Sequence, residues 1–332
     1  MKMILFVCAF VMQLAHAVPE KTFSKNWHSD VAPYFAQGFK GTFVNSQGMK
    51  LNYHAFVSST NKKTLVILPG RTEPALKYAE VIFDLRDLGC NIFILDHQGQ
   101  GGSERLLKDT QKGHVRFFSD YVKDFTAWMN EVVIPESKDQ ERFILAHSMG
   151  GTVATHYLAR HHDVFNKAVL SSPMMEVNTK PYQEDVALAL TSALILAFQG
   201  TKYAPDRGPY IPEEDTFEKN EVTHSRARFD MAKAIFLAWP EYVVGGPTNK
   251  WVNQSLIATR TIDSLAAKIH TPILMFQSGM DLIVKLPRQD AFCRKSANCK
   301  KVHFATAHHE ILQETDDLRN KAMSELKDFL KP

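Results

Sequence analysis

Apolar runs long enough to cross a bilayer are missing from this chain of 332 residues. The stretches Met3 to Leu14 and Val186 to Phe198 both fall short of the roughly twenty residues a spanning helix needs. Cysteine is scarce as well. Of the four, Cys8 lies in the first apolar stretch, and Cys90, Cys293 and Cys299 have neither metal-ligand spacing nor a neighbouring site motif. That argues against a cysteine-held metal and against a catalytic thiol. No stripe of Lys and Arg interleaved with aromatics occurs, and 39 basic against 36 acidic residues leave a formal charge of only +3. Nucleic acid is therefore not an expected partner. Internal repeats, low-complexity tracts and Pro-rich linkers are absent too, so nothing divides the chain into separate modules.

What is present begins with a leader. Met1 and Lys2 precede Met3 to Leu14, and Ala15-His16-Ala17 supplies small residues where a signal peptidase reads. Residues 1–17 read as a cleaved signal peptide, which implies export to the periplasm or beyond, with or without membrane association. In such a compartment disulfides persist. Cys293 and Cys299 are close enough in sequence to close a local loop, or to remain thiols, whereas Cys90 reads as a buried free thiol. The small positive balance fits an ordinary solvated surface, with contact to an anionic membrane as the alternative.

The mature chain opens with a polar arm, followed by Gly41 to Val44 and Met49 to Val57 around Asn45-Ser46-Gln47-Gly48, which read as a hairpin. From Thr64 onward, strand-length apolar runs alternate with helix-period segments. Thr64 to Leu68, Asn91 to Leu95, Arg142 to Ala146, Lys167 to Ser171, Pro272 to Gln277 and Lys301 to Phe304 are the strands of a mainly parallel sheet flanked by helices. Between Ser172 and Ile269 the alternation stops. The expected organisation is a first part of the core over 18–172, a helical cap insertion over 173–269 and a second part over 270–332. Within the insertion, Val186 to Phe198 reads as a buried helix, as an apolar wall for an acyl chain, or as a surface patch touching lipid. Ser225 to Leu237 shows a helical period.

The chemistry centres on Ala146-His147-Ser148-Met149-Gly150-Gly151, which follows a strand and opens a helix. A small-x-Ser-x-Gly turn in that position is a nucleophile elbow. The turn is sharp, so the residues two before and two after the serine must be small. A serine hydroxyl is a weak nucleophile, and it needs a base and a carboxylate that orients the base. Asp281 lies in the loop after the Pro272 to Gln277 strand, and His308 and His309 lie in the loop after Lys301 to Phe304. The order Ser148, Asp281, histidine is the one this architecture requires. Backbone N–H groups of Met149 and of Arg71, in the turn Pro69-Gly70-Arg71, are placed to stabilise an oxyanion. The Arg71 side chain is free to contact a phosphate or carboxylate, or to form a surface salt bridge. His97, His114, His147 and His224 read as hydrogen-bonding or packing residues, with no metal spacing among them, and the mechanism calls for no metal or cofactor.

Leu68-Pro69-Gly70-Arg71-Thr72-Glu73-Pro74, Asp96-His97-Gln98-Gly99-Gln100-Gly101-Gly102-Ser103, Gly113-His114-Val115, the Ser148 elbow and Ala307-His308-His309-Glu310-Ile311-Leu312 together resemble the bacterial lysophospholipases of the α/β-hydrolase superfamily, relatives of monoacylglycerol lipase. The resemblance continues through Thr223-His224-Ser225-Arg226 and Val244-Gly245-Gly246-Pro247-Thr248. It implies an α/β-hydrolase fold with a lid, and hydrolysis of one acyl ester in a lysophospholipid or monoacylglycerol. It also selects His309, which directly precedes Glu-Ile-Leu, over His308. Ala146 stands where the family usually has glycine, and Gln98 where it commonly has arginine. Simple carboxylic esters, N-terminal peptide bonds, and a binding domain that has lost its chemistry are the competing readings.

Overall fold

The computed structural model describes residues 17–331, so the expected leader falls almost wholly on residues 1–16, outside the described residues. Among the described residues, eight strands form one sheet: β1 (Phe39–Val44), β2 (Lys50–Phe56), β3 (Lys63–Leu68), β4 (Cys90–Leu95), β5 (Glu141–His147), β6 (Lys167–Ser171), β7 (Ile273–Ser278) and β8 (Cys299–Phe304). Their order is β1-β2-β4-β3-β5-β6-β7-β8. The expected hairpin is there, with β1 antiparallel to β2 and β2 antiparallel to β4. From β4 to β8 every pairing is parallel.

Strands in the middle of the sheet show no polar alternation because both faces are covered. Leu65, Val66, Ile67 and Leu68 of β3 are all fully buried. One face packs against Phe125, Trp128, Val153 and Tyr157, the other against Val81, Ile82, Met323 and Leu326. Parallel strands need crossovers, which run through helices such as Ala79–Leu85, Met149–Leu158 and Leu286–Lys295, and Asp316–Leu330 after β8 completes the outer layer. The arrangement is an α/β-hydrolase fold.

Two expectations need correction. The polar arm is a folded element. It runs as consecutive short helices from Glu20–Thr22 to Ala32–Ala36, with Phe23, Trp27, Val31 and Phe35 buried in the core that holds Val81, Ile82, Met323 and Leu326. Those four recur at every fourth residue, so they form one face of a helical stretch and have a core to fill. The reading of Val186 to Phe198 as a buried helix also fails. The helix Glu184–Leu196 buries only Ala187 and Thr191, while Leu196 is 81% and Phe198 93% exposed. It is the outer layer on the helix Asn249–Arg260, to which Asn253 Nδ2 and Thr191 Oγ1 tie it at 3.3 Å. One apolar side is thereby left to solvent.

The rest of the segment between β6 and β7 holds the helices Arg226–Ala238 and Ile262–Ala266. Ser225 caps the first, its side chain accepting from the Arg228 N–H. No helix among the described residues is long and apolar enough to cross a membrane.

Candidate active site

Ser148 sits between β5 and the helix Met149–Leu158 with φ 49° and ψ −118°, a left-handed backbone that non-glycine residues seldom adopt. Small neighbours make the turn possible. A Cβ on Gly150 would lie 2.4 Å from the Leu68 carbonyl oxygen. Ala146, in place of the usual glycine, is fully buried and fits. The elbow is fastened to the end of β6: Ser148 N–H donates to the Ser171 carbonyl (3.1 Å), and Met174 N–H donates to the Ser148 carbonyl (2.9 Å).

The loops after β7 and β8 bring the other two expected residues to it. His309 Nε2 is 2.9 Å from Ser148 Oγ, and its Nδ1 is 2.7 Å from Asp281 Oδ2. Asp281 in turn accepts the N–H groups of Ile283 (2.8 Å) and Val284 (3.0 Å) on Oδ1, so both carboxylate oxygens are occupied. Burial raises the Asp281 carboxyl, but His309 and those two N–H groups outweigh it and hold the carboxyl below its ordinary value. For His309 burial works against the charged form, yet Asp281 prevails and the imidazole lies above its ordinary value. His308 points elsewhere, its ring centroid 3.8 Å from that of His224.

The turn Pro69-Gly70-Arg71 lies directly against the serine, since a Cβ on Gly70 would be 3.1 Å from Ser148 Cβ. It is braced from two sides. Glu73 Oε2 accepts the Gly70 N–H (2.6 Å) and the Tyr78 hydroxyl (2.7 Å). From the Asp96 to Ser103 segment, Gln100 Nε2 donates to the Gly70 carbonyl (3.0 Å), Gln100 Oε1 accepts the Thr72 N–H (3.1 Å), and Asp96 accepts the Ala75 N–H (2.7 Å). Among the described residues no protein acceptor takes the N–H of Arg71 or of Met149.

Glu73, Lys77, Tyr78 and Glu310 have no assigned role in the sequence reading. Lys77 Nζ bridges Glu73, at 3.1 Å, and Glu310, the residue after His309. Burial pushes the Glu73 carboxyl up, but Lys77, His147, Tyr78 and the Gly70 N–H together bring it down to about 2. It is therefore a fixed anion behind the turn. The signal available in the sequence was the acid–base pair Glu73 and Lys77 at helical spacing. Glu310 lies far along the chain and joins only on folding.

The remaining histidines hold hydrogen bonds, as expected. His97 reaches the Pro69 carbonyl (3.2 Å), His114 the Thr248 hydroxyl (3.0 Å), His147 the Ser171 carbonyl (3.0 Å) and His224 the Glu314 carboxylate (2.8 Å). Burial lowers His147 to about 4, so it is neutral beside His309. Gln98 donates to Asp124 at 2.7 Å; burial raises that carboxyl to about 7, which suits a neutral amide partner in place of arginine. Among the described residues, no group of three or more His, Cys, Asp or Glu side chains is arranged to hold a metal ion.

A hydroxyl hydrogen-bonded to an imidazole that a buried carboxylate orients, with free N–H groups close by, is equipped for acyl transfer. Relatives agree with that chemistry. A family model described as "Serine aminopeptidase, S33" matches residues 59–316. Lysophospholipase L2 of Escherichia coli K12 is 32% identical over 319 residues, covering 93% of this chain and 92% of that protein. Monoacylglycerol lipase of Mycolicibacterium smegmatis is 28% identical over 282 residues, covering 83% and 91%. Among solved structures, a soluble variant of monoglyceride lipase from Saccharomyces cerevisiae superposes with a TM-score of 0.70 at 16% identity, over 89% of this chain and 95% of that one, and so shares the fold. With its elbow, its sheet order and this match over most of its length, the chain belongs to the serine aminopeptidase S33 family of α/β-hydrolases.

Proposed function

We propose that this carboxylic ester hydrolase cleaves the acyl ester of lysophospholipids, with Ser148 as nucleophile, His309 as general base and acid, and Asp281 as the residue that orients it. The observation that carries the reading is the continuous hydrogen-bonded chain from Ser148 Oγ through His309 to Asp281, at 2.9 and 2.7 Å. His309 Nε2 takes the hydroxyl proton as Oγ attacks the ester carbonyl. The N–H groups of Arg71 and Met149 stabilise the oxyanion. Collapse of this intermediate breaks the bond to the glycerol oxygen, which leaves with the proton from His309. Water, deprotonated by the same imidazole, then attacks the acyl-enzyme and releases the fatty acid. The lysophospholipid choice is supported by the match to lysophospholipase L2 along nearly the whole chain.

Residues 173–269 act in this reading as a cap. It touches the reacting loops directly: Glu310 N–H donates to the Val222 carbonyl (2.8 Å), and Arg71 Nη2 donates to the Gly245 carbonyl. The exposed apolar side chains Val186, Leu196 and Phe198 are the proposed contact with a lipid surface. Residues 1–17 are proposed to export the enzyme, after which it works in the periplasm or outside the cell.

Monoacylglycerol hydrolysis is the second reading, favoured by the match to monoacylglycerol lipase. The test is mass-spectrometric profiling of products from a total lipid extract, with a panel of lysophosphatidylcholine, monoacylglycerols, p-nitrophenyl esters and peptide amides. Preferential release of fatty acid from lysophospholipids supports the proposal, and preference for any other class replaces it. Failure of a fluorophosphonate probe to label Ser148 would favour a binding domain without catalysis.

A further inference from the structure

Two buried arginines of this chain are matched by carboxylates. Arg228 Nη2 lies 2.9 Å from Glu80 and 3.0 Å from Asp316, and Arg319 Nη1 lies 2.7 Å from Asp84. Arg71 has no such partner among the described residues. Its one hydrogen bond runs from Nη2 to the Gly245 carbonyl, its Nε is buried with no acceptor, and Trp251 lies under the guanidinium with its ring centroid 5.1 Å from Cζ. The ion that does approach it, Arg207 of the insertion, has the same sign. Burial pushes the guanidinium down to about 10, with Tyr121 and Tyr203 working against it and Arg207 adding to it.

The backbone around this cation is trimmed to make room. A Cβ on Gly113 would lie 2.5 Å from Arg71 Nη2, and one on Gly246 would lie 2.7 Å from Arg207 Cβ. If Arg71 served only to strap the insertion down, the fork would be expected to spend its donors on protein acceptors. Here most of it is unspent. Arg71 is half-buried, its Nε wholly so, and a partly desolvated cation without a counter-ion is costly.

Position identifies the anion. Arg71 belongs to the turn packed on Ser148, where a Cβ on its neighbour Gly70 would be 3.1 Å from Ser148 Cβ, so its guanidinium is tethered within one side chain's length of that turn. A fatty-acid carboxylate forms at the reacting carbon itself, not a side chain away. A monoacylglycerol presents only a neutral hydroxyl at that distance. The phosphodiester of a lysophospholipid sits one glycerol backbone from the ester, and a guanidinium fork matches phosphate oxygens in a bidentate fashion. We propose that Arg71, together with Arg207, forms a phosphate subsite that receives the head-group phosphodiester of a lysophospholipid. This inference rests on the lysophospholipase reading above and names what would make the enzyme prefer that substrate.

The test compares wild type, Arg71→Gln, Arg71→Lys and Arg207→Gln by kcat/KM on lysophosphatidylcholine and on a monoacylglycerol with the same acyl chain. A second arm measures inhibition of p-nitrophenyl butyrate hydrolysis by glycerophosphocholine and by inorganic phosphate. Fluorophosphonate labelling of Ser148 certifies that each variant is folded. The ratio of the two kcat/KM values should fall about tenfold or more in Arg71→Gln, mainly through KM, and less in Arg207→Gln, with partial recovery in Arg71→Lys. Glycerophosphocholine should inhibit wild type more strongly than Arg71→Gln. An equal fall on both substrates would overturn the subsite and leave Arg71 as a strap between the turn and the insertion. Inhibition by inorganic phosphate alone would assign the site to a free ion and overturn the head-group assignment. If wild type turns over no lysophospholipid yet glycerophosphocholine inhibits through Arg71, the substrate reading fails and the subsite stands. Efficient lysophospholipid turnover with a ratio indifferent to Arg71 does the reverse.

Discussion

The sheet and the insertion treat apolar side chains in opposite ways. Along β3 to β7 nearly every residue is buried, and the three side chains of the proposed triad are brought together from the ends of two of these strands, β5 and β7, and of their neighbour β8. In the insertion, the helix Glu184–Leu196 is richer in apolar residues than a surface helix usually is, yet it leaves Val186 and Leu196 in solvent, with Phe198 just beyond. Packing holds the first region rigid, which lets Ser148 keep a backbone conformation that local preference opposes. The second region turns part of its apolar surface outward, uncovered by the described residues, and such a patch marks a candidate contact surface. If this contrast is functional, damage to the first should abolish chemistry on every substrate. Damage to the second should matter only when the substrate is presented in an aggregate.

Ser148→Ala should break the enzyme most completely. Loss of the nucleophile is expected to lower kcat on lysophosphatidylcholine and on soluble p-nitrophenyl esters alike by about a thousandfold or more. Near wild-type turnover of either substrate would remove Ser148 from the mechanism. The fold should persist, since the side chain's removed hydroxyl is part of a site and not of either core.

Asp281→Asn comes next, with a loss of about a hundredfold to ten-thousandfold in kcat, because the amide favours the wrong imidazole tautomer. It also makes a prediction about pH. His309 must be neutral to take the serine proton, and its pKa is raised. Wild-type activity should therefore fall as pH drops through a midpoint above the ordinary histidine value of about 6.5. In Asp281→Asn the largest raising partner is gone and only the weaker pull of Glu310 and Glu73 still opposes burial, so the acid limb should move to lower pH. A kcat/KM profile for each protein checks the direction, and an unmoved limb would separate Asp281 from His309.

The same contrast explains what the sequence disclosed. Ser148, Asp281 and the pair His308-His309 were legible because strand–loop punctuation places them, and short-range rules govern that punctuation; the choice of His309 came from the resemblance. The ion cluster behind the Pro69-Gly70-Arg71 turn was not. Glu73, Lys77 and Glu310 form one ion cluster across a separation of more than two hundred residues, and only the Glu73–Lys77 part has a local pattern. Inside the insertion the local rules were weakest. The helix Asn249–Arg260 went unread because Asn249, Asn253, Gln254, Ser255 and Thr259 are polar and yet buried, which blurs its apolar period. Their burial is tolerated through tertiary bonds such as Asn253 Nδ2 to Ser192 Oγ (2.9 Å) and Asn249 Nδ2 to the Gln199 carbonyl (2.9 Å). Conversely, Val186 to Phe198 reads as core on hydrophobicity alone, since a helix apolar on most sides is usually an interior one. Here one apolar side is left uncovered by the described residues.

Leu196→Asp with Phe198→Asp tests that outward face. Both side chains are almost fully exposed, so thermal stability should change little, within about 0.5 kcal/mol. Activity on lysophosphatidylcholine in mixed anionic vesicles should fall about tenfold, while hydrolysis of soluble p-nitrophenyl butyrate should hold. Equal activity of both proteins on vesicles would mean that this face meets no lipid. Loss on the soluble ester as well would mean that it shapes the site itself.

The smallest effect on chemistry should come from Cys293→Ser with Cys299→Ser, which removes the bond joining the helix Leu286–Lys295 to β8. That bridge closes a short loop on the rigid side of the molecule, behind the segment between β7 and β8 that carries Asp281. Constraint of the unfolded chain by so short a loop is worth roughly 2 kcal/mol, a few degrees in melting temperature for a chain of this size. Cys90, buried and with its thiol pushed up by burial to about 11, offers no ready alternative partner. Differential scanning calorimetry should therefore show a lower melting temperature with kcat on the soluble ester nearly unchanged, whereas at Leu196 and Phe198 the melting temperature holds and activity on vesicles falls. A large fall in kcat without loss of stability would instead mean that the bridge sets the Asp281 loop, and the division between a rigid chemical half and an outward-facing half would have to be redrawn through β8.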